Sequence, residues 1–223
     1  MNDLPDLHGP EYGPTEIGEI KQLVIFCHGL GVGGHDLIGL APYFAKVLPN
    51  ARFVAPDAPF LSDMSPPGMQ MGYQWFSLQK RTEEAMLEGG RQAALILDKF
   101  IDKQLEKYDL PPEKLALVGF SQGTMISLFV GPRRNQQIAG ILGYSGRLVG
   151  HEVFADEIKS RPPIVLINGD LDDLVPVQVQ PTAIGTLQDA GIEVEGHVRP
   201  GLGHFIDEEG LEIGIRFIQR ILS

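Results

Sequence analysis

The sequence predicts an α/β protein, a central sheet of mainly parallel strands with helices on both faces. Three observations predict it. Short, continuous apolar runs recur along the chain, and longer amphipathic stretches separate them in mostly strand-then-helix order. Four of the runs are apolar on both faces, as parallel strands covered from each side must be. At 223 residues with 43% hydrophobic residues, the chain can close one core around one sheet, so a single domain over 1–223 is expected.

Taken in order, residues 1–20 are rich in Pro, Gly and Asp without periodicity and read as a surface arm holding at most one short strand. Strands are expected at LVIFCHG (23–29), ARFVAP (51–56), KLALVGF (114–120), IAGILGYS (138–145), PIVLING (163–169) and IEVEGHV (192–198). The strongest helix runs from Thr82 to Lys107, where Met86, Gly90, Ala93, Leu97, Phe100 and Leu105 make one apolar stripe, and Pro111 and Pro112 end it. Further helices are expected at 37–48, 121–131, 178–190 and 206–221. One segment, FLSDMSPPGMQMGYQWFSL (60–78), offers no regular element of useful length. Its aromatic and Met content argues that it packs over something.

Composition excludes several functions. The net charge is −11, and no block of Lys and Arg interleaved with aromatics exists to neutralise phosphates, so nucleic acid is not an expected partner. The opening MNDLPDLHGPEYGP lacks the basic start and apolar stretch of a secretory signal, and the apolar runs are too short for a membrane span. The single cysteine, Cys27, cannot form an internal disulfide, so a cytoplasmic setting is expected.

The chemistry begins at VGFSQGT (118–124). A serine hydroxyl needs a base to take its proton, and it must stand clear of the backbone, which a sharp turn from strand into helix achieves. That turn crowds the chain two positions to either side, where Gly119 and Gly123 stand. With 27 glycines the spacing alone is weak, but an apolar strand precedes Ser121 and a helix-compatible MISLF run follows it. The helix start would also aim the amide of Gln122 at developing negative charge.

Six histidines compete for the role of base. His8, His35 and His151 lie in polar or glycine-rich connections, and His197 alternates within a strand. His204, in PGLGH between the last strand and the last helix, belongs on the rim at the C-terminal strand ends, which Ser121 also reaches. The acid should come from NGDLDDLVP. Asp170 could hold the turn through backbone amides, while spacing does not separate Asp172 from Asp173. Upstream, CHGLGVGG (27–34) lacks the Lys and Ser/Thr of a phosphate loop and fits the dinucleotide fingerprint poorly. Its bare backbone suits an amide facing the oxyanion from the other side, with Leu30 as donor and His28 shaping the loop.

HGLG at 28–31, WF at 75–76, GFSQGT at 119–124, GDLDDLVP at 169–176 and GLGHFI at 201–206 together resemble the phospholipase/carboxylesterase family of α/β-hydrolases. The resemblance spans roughly Gln22 to Ile221. It implies an α/β-hydrolase fold without a large lid, and it maps the acid of a Ser121–His204–Asp172 triad onto Asp172. Asp173 stands where the family has proline, and Val32 where relatives commonly have aspartate. The family acts on carboxylic esters and sometimes on thioesters or lysophospholipids, with no metal or organic cofactor. Its acyl group lies in an apolar groove, for which the 60–78 segment offers Met69, Met71, Trp75 and Phe76, and its members can form homodimers through apolar surface near the site. An amide hydrolase on the same triad, or a non-catalytic binding protein of the same fold, are the alternatives.

Overall fold

The computed structural model describes residues 4–16, 19–66, 68–69 and 71–223. Seven strands form the main sheet: β1 (Glu11–Tyr12), β2 (Gln22–Cys27), β3 (Ala51–Val54), β6 (Leu115–Phe120), β7 (Gly140–Tyr144), β8 (Ile164–Gly169) and β9 (Val194–Arg199). Their spatial order is β1-β3-β2-β6-β7-β8-β9. Every neighbouring pair is parallel except β1 on β3, which is antiparallel. The strand pattern follows from alternation. Leu23, Ile25 and Cys27 of β2 join the core on one face, while Val24 and Phe26 join the core on the other.

Helices cover both faces. α3 (Glu83–Tyr108), α4 (Gln122–Val130), the short α5 (Phe154–Glu157) and α6 (Val179–Asp189) contribute to the first core; α1 (Gly34–Leu37), α2 (Ala41–Ala45) and α7 (Glu208–Leu222) contribute to the second. The six stripe residues of α3 are all buried. Its start is capped by the Thr82 side chain, which accepts from the Ala85 amide at 3.3 Å. It stops at Asp109, whose φ of 52° is left-handed, before the prolines are reached.

Three expectations differ from what is observed. The helix expected over 37–48 is split into α1, a 3₁₀ turn at Ile38–Leu40 and α2, because Gly39 weakens the helix and Pro42 removes an amide within it. The 60–78 segment carries a small hairpin, β4 (Phe60–Leu61) on β5 (Tyr73–Gln74); residues 67 and 70 lie outside the described residues. α5 was not anticipated. The arm does more than cover surface: Glu11 in β1 accepts from Arg52, Lys107 and Tyr108, and although burial opposes its charge, these donors hold its carboxyl down at about 2.

The chain leaves β2 toward β3 on one side, and β6 returns to pair with β2 on the other. Such a reversal leaves a crevice beyond the carboxyl ends of the two strands, where ligands bind in open α/β sheets. The HG loop follows β2, and Ser121 follows β6.

Candidate active site

Ser121 sits between β6 and α4 with φ 54° and ψ −117°, a conformation rarely tolerated by a residue with a side chain and costing about 1–3 kcal/mol. Surrounding contacts over-determine it. Its amide donates to Tyr144 O at 2.9 Å, and the Thr124 hydroxyl donates to the same carbonyl at 2.8 Å. The flanking glycines are required by close approach. A Cβ on Gly123 would lie 1.7 Å from Cys27 O, and one on Gly119 would lie 2.5 Å from the Thr124 Cα. Although Ser121 occupies the N-cap of α4, its hydroxyl makes no capping bond.

His204 and Asp172 are brought together from elements 32 residues apart. His204 Nδ1 lies 2.7 Å from Asp172 Oδ2; the Asp172 side chain is fully buried, and that of His204 is 15% exposed. The other oxygen of Asp172 accepts from the amides of Leu174 at 2.9 Å and Val175 at 2.8 Å, which fixes the carboxylate plane. Asp173 is exposed. Asp170 accepts from the Gly201 amide at 2.7 Å, and the Leu171 amide donates to Leu202 O at 2.9 Å, so the acid loop and the histidine loop are tied to each other. Arg199 and Asp207 close the base of the histidine loop by an ion pair at 3.0 Å. The Phe120 ring lies 4.9 Å from the imidazole centroid.

The amides of Leu30 and Gln122 have no acceptor among the described residues. The loop bearing Leu30 is held by backbone pairing with β5: Gly31 N donates to Tyr73 O and Tyr73 N to Val32 O, each at 2.8 Å. Asp36 accepts from the Gly33 amide at 2.9 Å and Asp57 from the Gly34 amide at 2.8 Å, so two later carboxylates support this loop. His28 is buried. Its Nε2 accepts from the Ala58 amide at 2.9 Å, which places the proton on Nδ1, donated to Gly29 O at 2.7 Å. Burial holds its pKa below the ordinary imidazole value, and the ring shapes the loop as a neutral group. Cys27, whose thiol burial pushes up to about 12, is inert.

Ser121 and His204 face one cavity of about 350 Å³. Gly29, Leu30, Val32, Leu78, Met86, Phe120, Met125, Leu174, Val175, Pro176 and Val179 make its wall apolar, and Arg81 and Arg147 add two cations. A second depression of about 260 Å³ shares Gly29, Val32 and Phe120 and continues over Leu37, Leu40, Phe205 and Ile206. The four groove residues expected from 60–78 are elsewhere. Trp75 and Phe76 are buried in the core, and Met69 and Met71 are exposed outside the lining. Trp75 instead donates its indole N–H to His28 O at 3.0 Å. The Gln122 side chain, fully buried, accepts from the Trp75 amide at 2.9 Å and donates to Phe76 O at 2.7 Å. That brace, and the Arg147 wall, were not found from sequence. Met86 was identified there only as a core residue of the α3 stripe.

A strained serine at the switch point of a doubly covered parallel sheet is the layout of the α/β-hydrolase fold, and the chemistry gathered around it is that of a serine hydrolase. A family model described as phospholipase/carboxylesterase matches residues 15–222, and the chain belongs to that family. Acyl-protein thioesterase 1 of Gibberella zeae is 28% identical over 215 residues, 89% of this chain and 90% of the relative. Acyl-protein thioesterase 1 homolog 1 of Dictyostelium discoideum is 28% identical over 219 residues, 95% of each. Among solved structures, esterase PE8 is 38% identical with a TM-score of 0.90, covering 98% of this chain and 100% of that one. SOBER1 of Arabidopsis thaliana is 25% identical with a TM-score of 0.76, covering 91% of this chain and 99% of that one.

Proposed function

We propose that this carboxylesterase-family hydrolase cleaves esters and thioesters of aliphatic acids through an acyl-enzyme on Ser121. The observation that carries the reading is the Asp172–His204 pair, 2.7 Å apart, whose histidine faces the same cavity as the strained serine. Asp172 accepts a hydrogen bond from Nδ1–H of His204, which leaves Nε2 as the proton acceptor. Ser121 Oγ attacks the carbonyl carbon as its proton passes to Nε2, and the carbonyl oxygen becomes an oxyanion. The amides of Leu30 and Gln122 donate to that oxyanion. Collapse breaks the bond to the alcohol or thiol, which leaves with the proton from His204. Water, deprotonated by the same nitrogen, then releases the acid and restores Ser121.

The larger, apolar cavity takes the acyl chain, and the depression beside Phe205 takes the leaving group. Acyl-protein thioesterases and an esterase among the relatives support this substrate class. A fluorophosphonate probe is expected to label Ser121 and abolish hydrolysis of nitrophenyl esters; an active protein that stays unlabelled sinks the reading. Among the described residues no helix is long and apolar enough to cross a membrane. The lone buried cysteine fits a cytoplasmic enzyme. Exposed Leu174 and Phe205 at the mouth would serve a homodimer, which sedimentation at increasing concentration tests.

A further inference from the structure

A separate cavity of about 200 Å³ lies against the acyl cavity, lined by Leu148, His151, Gln178, Thr182 and Ala183. It contains none of Ser121, His204, Leu30 or Phe120. Two residues, Arg147 and Val179, appear in the walls of both cavities. Arg147 has the larger side chain, and it is held across the wall by an ion pair with Glu83 in the first turn of α3. This guanidinium stands in a mostly apolar wall and reaches a carboxylate on a different element, while its buried Nε has no acceptor among the described residues. Its position makes it a divider.

We propose that Arg147 is the partition that limits the acyl chain this enzyme accepts, by closing the Ser121 cavity off from its neighbour. This rests on the reading that the acyl group occupies the larger cavity. While the side chain stands, the acyl chain has about 350 Å³ beside the serine. Truncating it joins that space to the further 200 Å³. Each additional methylene then seated against Leu148, Val179 or Ala183 favours the longer substrate about fourfold.

The test is kcat/KM across nitrophenyl esters from acetate to palmitate for the wild type, Arg147→Ala and Arg147→Met. An exposed or half-exposed ion pair contributes little to folding, so both variants are expected to fold. In Arg147→Ala, the ratio of long-chain to acetate kcat/KM rises, and the longest chain that is turned over efficiently increases by several carbons, with relative gains of about 10-fold or more there. Arg147→Met keeps a shorter, uncharged side chain in the wall and shifts the profile less than Arg147→Ala does. The proposal is overturned if Arg147→Ala leaves the profile unchanged, if all chain lengths fall in parallel, or if the two variants shift alike. Failure of the functional reading looks different: the wild type itself would hydrolyse no ester of any length.

Discussion

Truncating the Gln122 side chain separates two roles that share one residue. Its backbone amide is the proposed oxyanion donor, whereas its side-chain amide, completely buried, ties α4 to the chain after β5 through Trp75 N and Phe76 O. Gln122→Ala leaves both backbone groups buried without a partner, at about 1–3 kcal/mol each. The sum is roughly 2–6 kcal/mol, and in a chain of this length each kcal/mol lowers Tm by about 2–4 °C, so a fall near 10 °C is expected. Trp75 is the one tryptophan in the sequence, which makes its emission a local reporter of the brace and a convenient signal for denaturant unfolding. The expected result is a red-shifted emission, a lower midpoint and a reduced kcat, since Trp75 also holds His28 O beside the oxyanion loop. Gln122→Glu sharpens the test. A protonated carboxyl can still accept from Trp75 N and donate to Phe76 O, so its pKa is raised in the folded state. Its stabilising effect is therefore present at low pH and is lost as pH rises through that raised value. A Gln122→Ala protein within about 2 °C of the wild type with unchanged emission would refute the brace.

Asp172→Asn should reduce kcat by about 10³-fold or more, because the wrong imidazole tautomer is then favoured. Asp173→Asn, at an exposed position, should stay within about threefold, and equal losses in nitrophenyl ester assays would remove the assignment of the acid. Gly123→Ala should fail to accumulate as folded protein, since its Cβ would overlap the Cys27 carbonyl and cost about 3 kcal/mol or more; native-like circular dichroism and melting would contradict this. His28, held below its ordinary 6.5 by burial, contributes stability that is complete above that value and is lost as pH falls through the depressed one. Denaturant midpoints between about pH 7.5 and 5 should therefore decline less steeply in His28→Gln than in the wild type.

What the sequence reveals is what is decided locally. The strands, the α3 stripe and Gly119 are legible because their causes lie within a few residues: alternation, helical spacing and the crowding of one turn, whereas Gly123 makes room for the distant Cys27 carbonyl. Asp172 and Asp173 are adjacent and chemically identical, and spacing alone cannot separate them. What distinguishes them is that Asp172 turns inward under the amides of Leu174 and Val175 toward a histidine 32 residues away. The same reason hides the Gln122 brace, whose partners lie 46 and 47 residues upstream. Trp75 and Phe76 illustrate a different limit. Aromatic residues in a long connection show that the connection packs against something, but a groove and a core place the same demand on composition. Only the register of β5 against the Val32 loop determines that these two rings turn into the core.

The two halves of the proposed oxyanion site are not independent features that happen to meet. β2 and β6 pair in parallel with Cys27 opposite Gly119, so both strands end at the same level, and the loops that leave them start side by side. The first turn of α4 then packs so closely on the end of β2 that no atom fits between Gly123 and the Cys27 carbonyl. Leu30 lies three residues beyond that carbonyl, and the Gln122 amide one residue before that glycine. The separation of the two donors is thus set by backbone-on-backbone contact at the switch point of the sheet, which side-chain rearrangement cannot alter. Chain length and leaving group can accordingly vary through the cavity walls, Arg147 among them, without disturbing the geometry that stabilises the oxyanion.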